Sequence, residues 1–342
     1  MTPPPRSDAA GQGPDDPPAS LSGECPAPPP SDAATAPSPI SAPGASAPRV
    51  RRRTRLARGG VTIGEPAADI EPLLAAGEPY RPDSVADGGT VFGLTVRAAS
   101  VRGLLKRYAG TARQDDLCLR IHPGTRTLIV AVADGVSAAP RSDLGAALAV
   151  RHATAAVARQ LERGEVEWDE VFEHAAWALV DEHRRAGGAP DATVEEAAAA
   201  MATTLTVATV SADDPAHVRV AAAGDSPALL LRDANFTPLA AGGAGGAGGA
   251  GEALIGGSVP ALPRHIRPLS TAECELPPDG VLLLCSDGLA LPLGDGRGEV
   301  GAVFARELAT LPEVLDFARL LDFSRSTYDD DRTLVAVWPM RH

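Results

Sequence analysis

Five aspartates of this 342-residue chain stand at or beside the ends of apolar, strand-like runs. They are Asp115 in ARQDDLCL, Asp134 in VAVADGVS, Asp225 in VAAAGDSPALLL, Asp287 in LLLCSDGL and Asp330 in DDDRTLVAV. Taken singly, each is compatible with an ordinary turn, because Asp-Gly and Gly-Asp pairs favour turn geometry. Together they indicate more, since carboxylates at the edge of a core are costly to desolvate and no matching set of Lys or Arg accompanies them. A bound cation is the simplest partner.

The type of donor narrows the choice of cation. Carboxylate oxygens without His or Cys select hard divalent ions, Mg²⁺, Mn²⁺ or Ca²⁺, over Zn²⁺. The D-x-D-x-D-G spacing of an EF-hand is absent from the sequence, which disfavours a Ca²⁺ sensor loop. The seven histidines are scattered, and no Ser-His-Asp or Cys-Arg signature indicates a protein nucleophile. The acids therefore predict a centre for a hard divalent cation.

The elements that must position these acids are strands interrupted by blocks of helix. Strand-like runs include TVFGLTVRAAS, TLIVAVADG, TTLTVATVSA, HVRVAAAGD, PALLLRD, VLLLCSDG and RTLVAVWP, of which TTLTVATVSA, HVRVAAAGD and PALLLRD are expected to form one meander. Helical patterns cover 142–163, with Ser142 as the expected N-cap, 166–186, 299–310 and 312–322. Blocks of strands and helices favour an α+β fold with antiparallel sheets over a doubly wound parallel sheet.

Composition predicts where the folded domain lies. The first 60 residues hold 14 of the 32 prolines, and we expect residues 1–85 to be a disordered Pro/Ala-rich tail with a basic run at 49–58. The basic run is more typical of a solvated linker end than of a segment that contacts an acidic surface. Residues 86–342 are the expected domain. The glycine-rich stretch at 240–257 lacks the Lys-Ser/Thr of a P-loop, so we interpret it as a surface insertion.

Charge and cysteine usage limit the kinds of partner and the cellular compartment that the sequence predicts. Residues 1–60 carry a net charge of +2 and the rest of the chain −15, which argues against a nucleic-acid-binding surface on the domain. The four cysteines form no C-x-x-C pair and fit reduced thiols. No apolar stretch approaches the length of a transmembrane segment, and the N-terminus lacks a signal-peptide core. We therefore expect a soluble, cytoplasmic protein.

The order of the acidic motifs is similar to that of a known family. RQDD, VADGVS with SDLGAALA, ATTLTVATV, AAGDSPALLL, LLLCSDGL and DDDRTLVAV resemble the successive motifs of the metal-dependent protein phosphatase 2C family, bacterial members included, over residues 90–339. The resemblance implies a four-layer α-β-β-α sandwich, with two antiparallel sheets flanked by helix pairs. It also implies hydrolysis of phosphoserine and phosphothreonine in proteins by a water that bridges the metal ions.

The resemblance assigns roles to individual residues at a centre of two Mg²⁺ or Mn²⁺ ions. Asp134 bridges both ions, and Gly135 offers its backbone carbonyl to the second. Asp287 and Asp330 bind the first ion, while Asp115 holds waters of the second. Asp134, Asp287 and Asp330 are thus the expected catalytic acids.

Two places remain open in this assignment. Asp225 matches an acid that in bacterial members shares a third, weaker metal site with Asp287. The family's Asp-Asn pair reads Asp330-Asp331 here, and the preceding Asp329 leaves the register open by one residue.

The phosphate-binding arginine is where the sequence departs most from the family. In many members an Arg precedes the first acid by a few residues, and that place falls near Gly110 here. Because a guanidinium fork suits phosphate, Arg113 and Arg107 are the expected clamps, ahead of Lys106 and Arg102. The departure leaves an alternative open, a catalytically weak or inactive module that binds a phosphoprotein. In either case the expected partner is a phosphorylated protein from a Ser/Thr kinase pathway.

Overall fold

Eleven strands and seven helices form within the residues that the computed structural model describes, 61–75, 80–187, 190–240 and 260–340. The strands are β1 Ser84–Val91, β2 Leu94–Val101, β3 Asp116–His122, β4 Thr127–Ala133, β5 Leu205–Ser211, β6 Ala216–Ala223, β7 Ala228–Arg232, β8 Asn235–Ala240, β9 Ser270–Leu276, β10 Val281–Cys285 and β11 Arg332–Pro339. The helices are α1 Leu104–Ala109, α2 Ser142–Leu161, α3 Trp168–Gly187, α4 Val194–Met201, α5 Asp287–Leu293, α6 Glu299–Leu308 and α7 Val314–Leu321. The predicted tail up to residue 60 and the glycine-rich stretch from 241 onward lie outside the described residues.

Apolar residues on both faces of the strands produce a layered architecture. The strands pair antiparallel in a six-stranded sheet, ordered β1-β2-β11-β10-β7-β8, and a five-stranded sheet, ordered β3-β4-β5-β6-β9. Val130 of β4 and Val335 of β11 belong to the core between the sheets. Ile129, on the opposite face of β4, packs with α2 and α3, whereas Leu334 packs with α5, α6 and α7. The α+β sandwich prediction is therefore confirmed.

The expected meander of three strands is wrong, and the reason bears on the site. β5 and β6 pair in the five-stranded sheet, but β7 pairs with β10 in the six-stranded sheet. The chain crosses between sheets at Gly224, whose φ of +102° suits glycine. A Cβ at Gly224 would also lie 2.5 Å from Cγ2 of Thr204. This crossing places Asp225 at the end of the sandwich.

Two local predictions also need correction. TVFGLTVRAAS is not one strand, because Phe92 and Gly93 have φ values of +52° and +82° and form the turn of the β1-β2 hairpin. Ser142 is the first residue of α2 rather than its cap, and Arg141 occupies the cap position without a side-chain hydrogen bond.

The segment ahead of the predicted domain start also contacts the domain. Ile63 is buried in the cluster that contains Phe304 and Phe323, and its backbone nitrogen donates to Ser324 O at 3.1 Å. Residues before 86 therefore contribute to the core, while the tail itself stays a prediction. None of the helices formed by the described residues has the length and hydropathy of a membrane-spanning segment.

Candidate active site

Four of the five acids meet at one end of the sandwich, around a cavity of about 290 Å³. Asp134 follows β4, Asp225 follows β6, Asp287 begins α5 directly after β10, and Asp330 precedes β11. The full lining is Asp134, Gly135, Val136, Ser137, Ala202, Thr204, Asp225, Ala261, Arg264, Asp287 and Asp330. The packed strands thus fix carboxylates that are far apart in the sequence around a single space.

The backbone of Asp134 is held by the residues just before β5. Thr204 N and Thr203 Oγ1 donate to Asp134 O at 2.8 and 2.9 Å, and Asp134 N donates to Thr204 Oγ1 at 3.1 Å. Gly135 has no space for a side chain, because a Cβ would lie 2.8 Å from the carbonyl oxygen of Gln114 and 2.9 Å from the carbonyl carbon of Ser142. The ATT and DG motifs therefore position the acid that the sequence singled out.

Asp115 is buried near Asp134 and is not among the residues that line the cavity. It is almost fully buried, and Thr333 Oγ1 donates to its Oδ2 at 2.7 Å. Burial and the charge of Asp331 raise the pKa of Asp115 to about 7. Its charge in turn acts on Asp134, so the two acids are neighbours.

Asp330 and Asp331, the pair whose register Asp329 leaves open by one residue, have different environments. Asp330 is exposed and lines the cavity. Asp331 is buried, and its two oxygens accept hydrogen bonds from Gly103 N at 2.7 Å and Gln114 N at 2.6 Å. Asp331 therefore ties α1 and the RQDD segment to β11, a role that the sequence reasoning missed.

The electrostatics of the cavity are those of crowded carboxylates. Burial raises the pKa of Asp134 well above its usual range, and the charges of Asp115, Asp287 and Asp330 raise it further. Burial and the charge of Asp287 likewise raise the pKa of Asp225. A divalent cation would relieve this repulsion, since it interacts favourably with every carboxylate.

The donor set fits Mg²⁺ or Mn²⁺, because its side chains are carboxylates and Gly135 adds a backbone carbonyl. In the described part of the chain, no three Asp, Glu, His or Cys side chains already form a metal-binding group. The fit therefore rests on the type of donor and on the charge repulsion at Asp134.

Lys106 of α1 is the buried cation beside the cavity. Its Nζ donates to Gln114 Oε1 and to Ser137 Oγ, the latter at 3.1 Å, and lies 3.7 Å from Asp330 Oδ1. Ser137 and Asp330 both line the cavity. The ammonium group is therefore at its rim.

The two preferred clamp candidates, Arg113 and Arg107, are placed elsewhere. Arg113 is buried, and its Nη1 donates to Ser100 Oγ at 2.7 Å and to the carbonyl oxygen of Asp115. Arg107 pairs with Asp83 and Asp322, each at 2.7 Å. Neither side chain lines the cavity, so the structure corrects the expectation that one of them faces a substrate there.

Arg264 is a cavity residue that sequence reasoning missed. Its Nε and Nη2 both lie 2.9 Å from Glu195 Oε2 of α4. It stands in the segment that follows the glycine-rich stretch, where no motif or periodicity marks it. The topology alone brings it to the acids.

The fold and the site together define a class of protein. The family model described as protein phosphatase 2C matches residues 102–327, more than half of the chain. The chain therefore belongs to the protein phosphatase 2C family, which confirms the resemblance found in its motifs. No curated protein matches the chain.

Solved structures with a similar fold are distant in sequence. A crystal structure of RsbX in complex with magnesium is 11% identical, with a TM-score of 0.47, and the match covers 74% of this chain and 98% of that one. The serine/threonine phosphatase PstP/Ppp of Mycobacterium tuberculosis is 18% identical, with a TM-score of 0.45 and coverage of 73% and 99%. The catalytic domain of PstP in complex with two manganese ions is 19% identical, with a TM-score of 0.44 and coverage of 71% and 97%.

Proposed function

We propose that this protein is a metal-dependent phosphatase that hydrolyses phosphoserine and phosphothreonine in proteins. The observation that carries the proposal is the convergence of Asp134, Asp225, Asp287 and Asp330 on one cavity, from four separate motifs. Membership of the protein phosphatase 2C family supports the same reaction.

Each acid has a role in this proposal. Asp134 and the carbonyl of Gly135 would hold two Mg²⁺ or Mn²⁺ ions, with Asp287 and Asp330 as further ligands of the first. Asp115, fixed by Thr333, would orient waters of the second ion. Bound divalent ions lower the pKa of water and neutralise phosphate oxygens. Asp225 would complete a third, weaker site with Asp287, which explains its exposed position on the cavity wall.

We propose Lys106, rather than the preferred candidates Arg113 and Arg107, as the cation that binds the phosphate. Its ammonium group faces Ser137 and Asp330 at the rim, whereas Arg113 and Arg107 are engaged with Ser100 and Asp83. A buried lysine donates charge-assisted hydrogen bonds to phosphate, although without the bidentate geometry of a guanidinium.

A module that binds a phosphoprotein without turnover is the second candidate. The observation that favours it is the pairing of Arg264, the arginine that lines the cavity, with Glu195. Arg264 Nε donates to Glu195 Oε2 at 2.9 Å and its Nη2 lies 2.9 Å from the same oxygen, so this guanidinium is already paired with a carboxylate.

We also propose a cytoplasmic location and a substrate supplied by a Ser/Thr kinase. The cysteines within the described residues, Cys118, Cys274 and Cys285, are free, which supports a reducing compartment. A phosphatase of this class needs a kinase to supply its phosphoprotein.

The test of the proposed function is phosphate release by the full chain from matched phosphoserine, phosphothreonine and phosphotyrosine peptides. With Mn²⁺, we expect turnover of the first two, loss of turnover with EDTA, and recovery when Mn²⁺ is restored. Turnover that persists in EDTA would reject metal dependence. Absent turnover with Mn²⁺ bound, measured by calorimetry, would favour the second candidate.

A further inference from the structure

An exposed apolar surface lies on α1 and on the segment 61–75. We call it the apolar shelf and define it by four side chains whose exposed fractions exceed one half. These are Leu73 at 53%, Leu74 at 83%, Leu105 at 61% and Tyr108 at 65%. Single exposed apolar residues are common on protein surfaces, but adjoining ones mark a site of interaction.

The two segments of the shelf are joined directly. Leu73 N donates to Arg107 O at 2.9 Å, and Arg102 Nη2 donates to Leu73 O at 2.9 Å. Leu105 and Tyr108 are three residues apart on α1, so they share one face of the helix. The segment that carries Leu73 and Leu74 therefore adjoins the helix that carries Leu105 and Tyr108.

The shelf borders the candidate active site through the same short helix. Leu105 N donates to Asp329 O at 3.1 Å, next to Asp330 on the cavity wall. Lys106, the next residue along α1, faces inward and reaches Ser137 and Asp330. One face of α1 thus borders the cavity, and the other face is apolar and exposed.

We infer that the apolar shelf binds apolar residues beside the phosphorylated Ser or Thr of a protein substrate. This inference rests on the proposed function, because it places the phosphate in the cavity next to Lys106. A polypeptide that enters the cavity from this side extends over Leu105 and Tyr108. Burying its apolar side chains there would remove exposed apolar area from water on both partners.

The charges around the shelf favour apolar over acidic neighbours of the phosphorylated residue. Arg102, whose guanidinium donates to Leu73 O, is paired with Asp83. The guanidinium of Arg107 is paired with Asp83 and Asp322. Asp329 is exposed at the edge between shelf and cavity, and its charge would repel a carboxylate.

The test measures affinity rather than turnover. Fluorescence anisotropy of the full chain with Mn²⁺ would use non-hydrolysable phosphonate analogues of phosphoserine peptides. The peptides differ only in residues flanking the phosphonate, which are Leu and Phe in one and Gln and Ser in the other. We expect the apolar peptide to bind roughly 10-fold more tightly, as one modest apolar contact provides.

Variants then locate the contact. Leu105→Gln and Tyr108→Gln should bring the affinity ratio of the two peptides close to one. Trp177→Gln, which alters an exposed apolar residue of α3 outside the shelf, should keep the ratio of the unaltered protein. Continued binding of the polar peptide shows in the same experiment that each variant is folded.

A ratio of one in the unaltered protein, or an unchanged ratio in the Leu105 and Tyr108 variants, would overturn the inference. Concentration-dependent dimerisation that Leu105→Gln abolishes, together with a ratio of one, would assign the shelf to a second copy of this chain and also overturn it. Failure of the proposed function would give a different result from failure of this inference. The affinity ratio of the two peptides would persist, but the protein would not hydrolyse phosphoserine peptides.

Discussion

Lys106 Nζ lies 3.1 Å from Ser137 Oγ, at the rim of the cavity that Asp134 lines. If this ammonium group binds substrate phosphate, Lys106→Met should lower kcat/KM for p-nitrophenyl phosphate by roughly 10- to 100-fold, the effect of one charge-assisted hydrogen bond. Lys106→Arg should recover part of the loss because it keeps the charge. A Lys106→Met variant with unchanged kcat/KM would remove Lys106 from the phosphate site.

Gly135 has no space for a methyl group, since a Cβ would lie 2.8 Å from Gln114 O. We expect Gly135→Ala to lower the free energy of unfolding by about 1–3 kcal/mol, the usual effect of overpacking. Denaturant unfolding measures this loss of stability. The matched control is Gly89→Ala on β1, where a Cβ meets nothing within 4 Å. Equal stability of the two variants would contradict the packing described at Gly135.

Arg113 is predicted to act in stability rather than in phosphate binding. Its Nη1 donates to Ser100 Oγ and to Asp115 O inside the protein. Arg113→Met should lower the free energy of unfolding by about 3 kcal/mol, because buried acceptors lose a charged donor. Denaturant unfolding and the KM for p-nitrophenyl phosphate measure the two effects separately. A raised KM without loss of stability would return Arg113 to the phosphate site.

Cys285, buried two residues before Asp287, gives a pH-dependent prediction. Burial raises the pKa of this thiol to about 12. Above pH 9 the thiol ionises in the unfolded chain but not in the folded one, so stability falls as pH rises. Unfolding free energies at pH 8 and pH 10 should therefore differ more in the unaltered protein than in Cys285→Ala, by about 1 kcal/mol. An equal pH dependence would show that Cys285 ionises freely when folded.

The layers and the acids were predictable because each rests on a short-range pattern. Apolar runs such as LIVAVA predict a buried strand wherever they occur, and an acid directly after such a run must lie at the end of the sheet. Asp134 and Asp287 could be placed in this way. The order of six motifs then led to the correct family.

Side-chain direction and strand partners were not predictable, because both depend on long-range packing. Arg113 precedes Asp115 by two residues, yet its side chain is buried against Ser100 of β2. The change of sheet after Gly224 follows from its close packing against Thr204, which no local pattern reveals. Arg264 likewise reaches the cavity only through tertiary structure.

Metal-dependent turnover by the Asp134→Asn variant is the most direct test of the central claim. The full chain should hydrolyse p-nitrophenyl phosphate with Mn²⁺ and lose the activity in EDTA. Asp134→Asn should lose nearly all turnover, since Asp134 is the proposed ligand of both metal ions and lines the cavity with Asp225, Asp287 and Asp330. Asp295→Asn, a surface substitution outside the cavity, should retain it. Turnover of Asp134→Asn equal to that of Asp295→Asn would contradict the account.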